Sequence, residues 1–335
     1  MDNENPRARL YYLFGTTPRP QGSWLARLPA GIFGISVGLF GLVGAWRRAA
    51  SHGWPIAVEV ADFLVWPVTV IWAASLILYA CKCKRYPQAV LREYRHPVQG
   101  SVLALLPLSV LLAVIQFNRP EQGVWLVLAL LALGLHALIA VRVVSTLTTG
   151  QMPSNAITPA LYLPVVGGAL IGGMALAALQ YPAWGALLFG TGLSGWALLE
   201  ARILSRLFEG PMPETLRPTI GVELAPPAIA TLSAAVIWPQ LPADVLVVGL
   251  GVAAAPFIGV MARYRWWLDV PFSIGFWSFS FPLAALASVI LEAGHRDGWP
   301  MWIGIAALMT ASAIIAFLAL RTTILLLQGR LLSAE

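Results

Sequence analysis

Residues 272–288 read FSIGFWSFSFPLAALAS, an apolar segment with a proline, Pro282, in its interior. A proline inside a helix removes one backbone hydrogen bond and crowds the carbonyl group four residues earlier, which here belongs to Ser278. In hydrocarbon an unpaired carbonyl group is costly, so such a break persists only where protein or water supplies a new partner. The segment is therefore either a packing kink or part of a water-accessible path, and the rest of the chain has to decide between the two.

The composition of the chain is that of a membrane protein that crosses the bilayer many times. Of the 335 residues, 59% are hydrophobic and only 11% are charged, whereas a soluble domain carries about 25% charged residues. The net charge of +6 does not indicate nucleic-acid binding, because membrane proteins keep Lys and Arg in cytoplasmic loops to set their orientation. We therefore expect the lipid bilayer as a partner, and no nucleic acid.

Ten apolar stretches are long enough to cross a bilayer, which takes about 20 residues per helix. They lie at 27–46, 58–81, 99–117, 123–145, 159–179, 183–205, 218–238, 243–262, 271–291 and 300–326. The sequence thus predicts a ten-helix transmembrane domain over 27–328. The first 24 residues lack the apolar core of a signal peptide. Residues 1–26 are expected to form a cytoplasmic tail, as are residues 329–335.

Basic residues support this count of spans. With both chain ends in the cytoplasm, all but four of the 21 Lys and Arg residues fall on the inner side. The four on the outer side are Arg47, Arg48, Arg119 and Arg296. An error of one span would remove the asymmetry, so the basic residues indicate ten spans with an inward orientation of both termini.

The odd-numbered spans share a sequence feature near their middle. The first span has five glycines on one helical face, and the others have prolines at Pro107, Pro164, Pro226 and Pro282. We expect an all-α fold of five helical hairpins, in which five kinked inner helices surround a pore and five outer helices surround them. Small residues predicted to line it are Gly34, Gly38, Ser278 and Ala285. The alternative is that small residues only allow close helix packing, as is common in membranes.

One face of the ninth span carries a single large side chain. At helical spacing, Ser278, Phe281, Ala285 and Ser288 lie on one face. If this face meets the path, Phe281 is a hydrophobic plug, and pores can gate through such constrictions. The neighbouring Pro282 would give the backbone room to move. The alternative is that Phe281 packs like the other phenylalanines of the segment, and the spacing alone leaves both interpretations open.

Several motifs together resemble one known family. They are LPAGIFGISVGLFGLVGAW (28–46), RYPQAVLREYRHPVQGSVLALLPLS (85–109), TPALYLPVV (158–166), LRPTIGVELAPPA (216–228), FSIGFWSFSFP (272–282) and LLLQGRLL (325–332). They look like the TehA tellurite-resistance proteins, which group with the plant slow-type anion channels and the C4-dicarboxylate transporters. The resemblance covers nearly the whole chain.

The resemblance implies a multi-pass protein of the bacterial inner membrane, a homotrimer with one anion pore in each subunit. In this family a phenylalanine in the ninth-helix motif occludes the pore, and the matching residue here is Phe281. The prolines that kink the inner helices of the family match Pro107, Pro164, Pro226 and Pro282.

One acidic residue departs from the pattern expected of such a family. Glu223 lies about 9 Å inside the seventh span, at 1.5 Å per residue, and a carboxylate inside a span is a functional candidate by default. It either points away from the path and pairs with a base, which we favour, or burial keeps it neutral. Glu200 and Arg202, near the inner end of the sixth span, are expected to form a structural ion pair.

The sequence favours passive conduction of small monovalent anions such as chloride or nitrate, because no inner helix has Lys or Arg near its middle and an apolar wall disfavours strongly hydrated ions. The alternative is a carrier for C4-dicarboxylates or an oxyanion such as tellurite, with proton coupling through Glu223. An enzyme is not expected, since the acidic residues are dispersed and no catalytic motif is found. The four histidines lack ligand spacing. Cys81 and Cys83 are expected to be reduced thiols in a basic turn at the membrane edge, the alternative being a metal or redox pair, so no metal or cofactor is predicted.

Overall fold

A computed structural model describes residues 23–118 and 121–331 of the chain. Most of the predicted N-terminal tail at 1–26, the outer residue Arg119 and the last residues of the predicted C-terminal tail lie outside the described residues. Within the described ranges all regular structure is helical.

Ten helices are long and apolar enough to cross a membrane, which confirms the predicted number of spans. We number them α1 to α10 in chain order: Ala30–Ser51, Pro55–Arg85, Gln99–Phe117, Gly123–Thr148, Pro159–Ala178, Pro182–Glu209, Glu214–Ile237, Ala243–Ala262, Ile274–Asp297 and Met301–Leu327. The first span begins and ends later than predicted. As a result Arg47 and Arg48, which the sequence places in an outer loop, belong to the end of the α1 helix.

Every odd-numbered span is interrupted in its first half, whereas every even-numbered span is one continuous α-helix. Each odd span begins with a short 3₁₀, π or α-helical segment, and a longer regular α-helix follows. The α-helical parts are Phe33–Ser51 in α1, Leu105–Phe117 in α3, Gly168–Ala178 in α5, Ala225–Ile237 in α7 and Ser280–Asp297 in α9.

The prolines explain where most of these interruptions fall. Pro107, Pro226 and Pro282 all lie within the first three residues of an α-helical part. The first turn of a helix tolerates proline because its amide groups have no partner within the helix. In α7 and α9 the preceding turns are 3₁₀ helices, Glu214–Leu224 and Ile274–Phe279. Each proline therefore marks a restart of the helix rather than a bend within it.

The fifth span is interrupted differently, by a π-helical turn at Leu163–Gly167 that contains Pro164. The carbonyl group of Pro164 accepts a hydrogen bond of 2.8 Å from Nε2 of His136, a buried residue of α4. The ring of His136 reaches this carbonyl because Gly168 has no side chain, and a Cβ atom there would collide with the imidazole. The neighbouring span thus satisfies a carbonyl group at the interruption.

Burial separates the two sets of spans. In the most apolar part of each odd span, 67% to 83% of the residues are buried, against 17% to 28% in the even spans. Each odd span contacts the odd spans before and after it, and α9 contacts α1, so these contacts close into a ring. Each odd span also contacts the even span that follows it. The even spans therefore present their exposed faces outward, where they would meet lipid.

A short helix outside the spans, Pro87–Arg95, leads into the start of α3. It is followed by His96, whose Nδ1 accepts hydrogen bonds of 3.2 Å from the backbone amides of Val98 and Gln99. Burial lowers the pKa of His96, which keeps the ring neutral and Nδ1 free to accept these bonds. The histidine of the RHPV motif thus has a structural role at the entrance to α3.

We predict that His136→Leu destabilises the protein, because the carbonyl group of Pro164 loses its partner in an apolar environment. An unsatisfied buried acceptor costs about 1–3 kcal/mol. Thermal unfolding in detergent micelles measures the effect. Leu138→Ala is the control, since Leu138 is on the same helix and is 67% exposed. A variant His136→Leu that melts with the wild type would contradict the role given to this hydrogen bond.

Candidate functional site

The ring of odd spans encloses two cavities, one above the other. We call the side on which the odd spans begin the terminal side and the other the opposite side. The first cavity, of about 250 Å³, lies toward the terminal side and is lined by residues of all five odd spans. The second, of about 290 Å³, lies toward the opposite side and is also lined by residues of all five. No residue of an even span lines either cavity within the described parts of the chain.

The two cavities differ in chemistry. The wall of the first is formed almost entirely by apolar side chains and glycines. Among the described residues, the one charged side chain that lines it is Glu93, from the short helix before α3. The second cavity has a polar end formed by Arg47, Arg48, Gln116 and Ser288. An anion in the second cavity would meet guanidinium groups, whereas an anion in the first would meet hydrocarbon and exposed backbone.

Phe281 lies between the two cavities and is the one residue that lines both of them in the described structure. Its neighbours on the same face of α9 follow in order: Ser278 lines the first cavity, and Ala285 and Ser288 line the second. The aromatic ring is 7% exposed. The face that the sequence singles out is therefore the face of α9 that borders the enclosed space.

A glycine of α1 makes room for this ring. A Cβ atom on Gly41 would lie 2.6 Å from Cδ2 of Phe281, closer than any real contact of this kind. The ring therefore rests against bare backbone of α1, where any side chain would displace it. The contact with Phe281 explains why position 41 is a glycine, which the spacing of the five glycines in α1 could not explain.

The other predicted small residues divide into two groups. Gly34 lines the first cavity. Gly38, also predicted to line the path, lines neither cavity. It packs against α9, where an added Cβ would collide with Ser280 and approach Trp277. The reason is that α1 and α9 cross closely at this point, so the glycine serves helix contact rather than the cavity wall.

Of the four predicted kink prolines, two line a cavity and two do not. Pro226 and Pro282 line the first cavity, whereas Pro107 and Pro164 lie outside the lining of both cavities. All four nevertheless lie at interruptions of the odd spans.

Glu223 is buried behind the wall of the first cavity, next to Tyr162 and Glu200. Among the described residues no base lies within 4 Å of Glu223, although the charge of Arg263 acts on it from a greater distance, and its Oε2 has no hydrogen-bond partner. Tyr162 lines the first cavity and donates a hydrogen bond of 2.6 Å to Glu200. Glu223 itself is therefore not part of the cavity wall, whereas Tyr162 is.

The predicted ion pair of Glu200 with Arg202 is wrong. Glu200 accepts hydrogen bonds from Tyr162 and from Nε1 of Trp196, the latter at 2.7 Å. Arg202 lies 3.7 Å from Glu209 instead. Residues 200 and 202 project from different faces of the continuous helix α6, which is why the two neighbours find separate partners.

Sequence reasoning missed a buried cluster at the terminal end of the first cavity. Lys82 is only 1% exposed, lies 2.9 Å from Glu93, and donates a hydrogen bond to the carbonyl group of Leu28. The hydroxyl group of Tyr79 donates to the other oxygen of Glu93 at 2.7 Å. The sequence places Lys82 in a basic turn at the membrane edge, and only the packing of the following short helix buries it.

Comparison with known proteins assigns the fold. The family model described as "SLAC1: Voltage-dependent anion channel" matches residues 27–323. The chain belongs to this family. It is 29% identical over 309 residues to the tellurite resistance protein TehA homolog of Haemophilus influenzae, a match that covers 90% of this chain and 92% of that protein. The match confirms the resemblance inferred from the motifs.

Two plant members of the SLAC1 family are more distant. The guard cell S-type anion channel SLAC1 of Arabidopsis thaliana is 24% identical over 84% of this chain, and the S-type anion channel SLAH2 of the same plant is 24% identical over 80%. This chain covers 52% and 53% of the two plant proteins. It therefore spans about half of their length.

We predict that Gly41→Ala changes transport without unfolding the protein. The added methyl group occupies the space next to the ring of Phe281, so the resting position of the ring becomes unfavourable. We expect a larger anion current than in the wild type and a smaller one than in a variant without the ring. Currents in planar bilayers measure this, with Gly134→Ala as a control because a Cβ atom at Gly134 meets open space. Identical currents in Gly41→Ala and the wild type would contradict the proposed role of the contact between Gly41 and the ring of Phe281.

Proposed function

We propose that this protein is a passive anion channel whose pore runs through the ring of odd spans and is closed by Phe281. The observation that carries the proposal is the position of this ring between two cavities that the same five spans enclose. Membership of the SLAC1 family supports an anion as the permeating ion. The two plant relatives are named as anion channels.

Closure by Phe281 would be hydrophobic. The ring separates an apolar cavity from one with a polar end, and a narrow apolar constriction excludes hydrated ions. Phe281 is the second residue of an α-helical part that directly follows a 3₁₀ turn. A helix start of this kind can change its geometry more easily than a helix interior, because fewer backbone hydrogen bonds hold it. Opening would then need only a rotation of the ring away from Gly41.

Selection among anions would follow from the wall of the first cavity. Its lining contains no Lys or Arg in the described part of the chain, so an anion is held there only by weak interactions with backbone dipoles and polar edges. Strongly hydrated anions lose most on leaving water. Small monovalent anions such as chloride and nitrate are therefore the proposed substrates.

The same proposal includes the setting of the channel. The distribution of basic residues supports a cytoplasmic location of both termini in a bacterial inner membrane. A homotrimer with one pore in each subunit is proposed by resemblance to the family. No cofactor enters the mechanism.

A proton-coupled carrier for C4-dicarboxylates or tellurite is the alternative. It would need an ionisable group in the path. Glu223, the candidate from the sequence, is not part of the lining of either cavity, and Glu93, which lines the first cavity, is bound to Lys82 and Tyr79. Anion uptake into liposomes separates the two functions. Uptake that saturates, follows an imposed proton gradient and is lost in Glu223→Gln would favour the carrier, whereas a current proportional to voltage favours the channel.

We predict that Phe281→Ala raises the anion current at least about tenfold, because the truncated side chain removes the hydrophobic constriction. Purified protein in planar bilayers, with chloride or nitrate as the permeating ion, measures this current. Phe276→Ala is the matched control: Phe276 lies on the same span and is 6% exposed, close to the 7% of Phe281, but lines neither cavity.

An equal rise of the anion current in Phe281→Ala and Phe276→Ala would mean that the loss of any buried ring loosens the helix bundle. Phe281 would then not be the gate. If the wild type, Phe281→Ala and Gly41→Ala all carried no anion current, the proposed channel function would be contradicted.

A further inference from the structure

The polar end of the second cavity contains two neighbouring arginines with different partners. Arg48 forms an ion pair with Glu292, which also binds Arg296 at 2.6 Å. Arg47 has no carboxylate within 4 Å in the described part of the chain. Asp62 of α2 acts on its charge only from beyond that distance. Arg47 therefore has no direct ion pair, although both guanidinium groups border the same cavity.

The position of Arg47 is fixed by α3. Its Nη1 donates hydrogen bonds to the backbone carbonyl group and to Oε1 of Gln116, the latter at 2.9 Å. The amide nitrogen of Gln116 in turn donates to the carbonyl group of Phe40 at 3.3 Å. Both bonds of Arg47 use the same nitrogen. The N–H groups on Nη2 and Nε have no hydrogen-bond partner among the described residues, and an arginine side chain has five such donors.

We propose that Arg47 forms an anion-binding site in the second cavity, which holds a monovalent anion next to the ring of Phe281 before or after it passes. The site rests on the proposed channel function and deepens it, because it names the residue that concentrates the permeating ion. A fixed charge in a cleft with low-dielectric walls raises the local concentration of its counter-ion.

The geometry of a guanidinium group also gives the site a preference. Two parallel N–H groups match two oxygens of a planar oxyanion, which a spherical ion cannot use. A lysine at this position would keep the charge and lose the planar pair of donors. Arg47 therefore favours nitrate over chloride, whereas the apolar first cavity has no group that distinguishes them by shape.

The test uses full-length protein that carries Phe281→Ala, so that the ring no longer limits the current. Four proteins are compared in planar bilayers at low and at high salt: this background alone, and the background with Arg47→Gln, Arg47→Lys or Arg265→Gln. Arg265 is exposed and contacts Tyr264, so Arg265→Gln removes one charge far from the cavity. Thermal unfolding checks that all four are folded.

We expect Arg47→Gln to lower the low-salt current about threefold or more, because local enrichment by a fixed charge is lost. At about 1 M salt the difference should disappear, since screening then acts over about 3 Å. Arg47→Lys should keep the low-salt current but lower the ratio of nitrate to chloride current. Arg265→Gln should match the background in both respects.

Two results would overturn the inference while leaving the channel intact. One is a conducting Arg47→Gln protein with the low-salt current of its background. The other is a loss that persists unchanged at high salt, which would indicate a structural defect rather than a lost charge. Absence of current in the Phe281→Ala background itself would instead contradict the channel function.

Discussion

Backbone hydrogen bonding in hydrocarbon is the constraint on which this structure depends. A span whose helix is interrupted exposes carbonyl and amide groups that lipid cannot satisfy. All five interrupted spans lie in the buried ring, and all five continuous spans lie outside it. Side chains of neighbouring residues complete the bonding at the interruptions. Ser278 of α9 donates to the carbonyl group of Pro218 at 2.6 Å, and Ser280 donates to that of Trp277 at 2.6 Å.

The same interruptions shape the enclosed space. Where a helix restarts, its axis and its side-chain directions change, so small residues and one aromatic ring can face inward at the same level. Gly41 allows α1 to come close enough for the ring of Phe281 to rest on its backbone. The ring then divides the space into two cavities. Packing of two spans, rather than the proline alone, fixes the position of the ring.

Charged groups are arranged so that the first cavity stays nearly neutral. Glu93 borders it but is bound to Lys82 and Tyr79, and Glu223 is not part of its lining. Toward the opposite side, Glu292 is held by Arg48, Arg296 and His52. Buried ions that are paired in this way cost less than isolated ones. Arg47, which borders the second cavity, forms no ion pair within 4 Å among the described residues.

Local sequence patterns determined the class of protein and the number of spans. Apolar length and basic asymmetry are properties of each segment by itself, so ten helices could be counted, and the spacing of α9 placed Ser278, Phe281 and Ala285 on one face. The partners of that face depend on residues far away in the chain. The contact of Gly38 with Ser280, the hydrogen bond of Arg47 to Gln116 and the burial of Lys82 against Glu93 arise only when separate spans pack. Tertiary structure alone decided them, because helical periodicity fixes which residues share a face but not which distant backbone that face will meet.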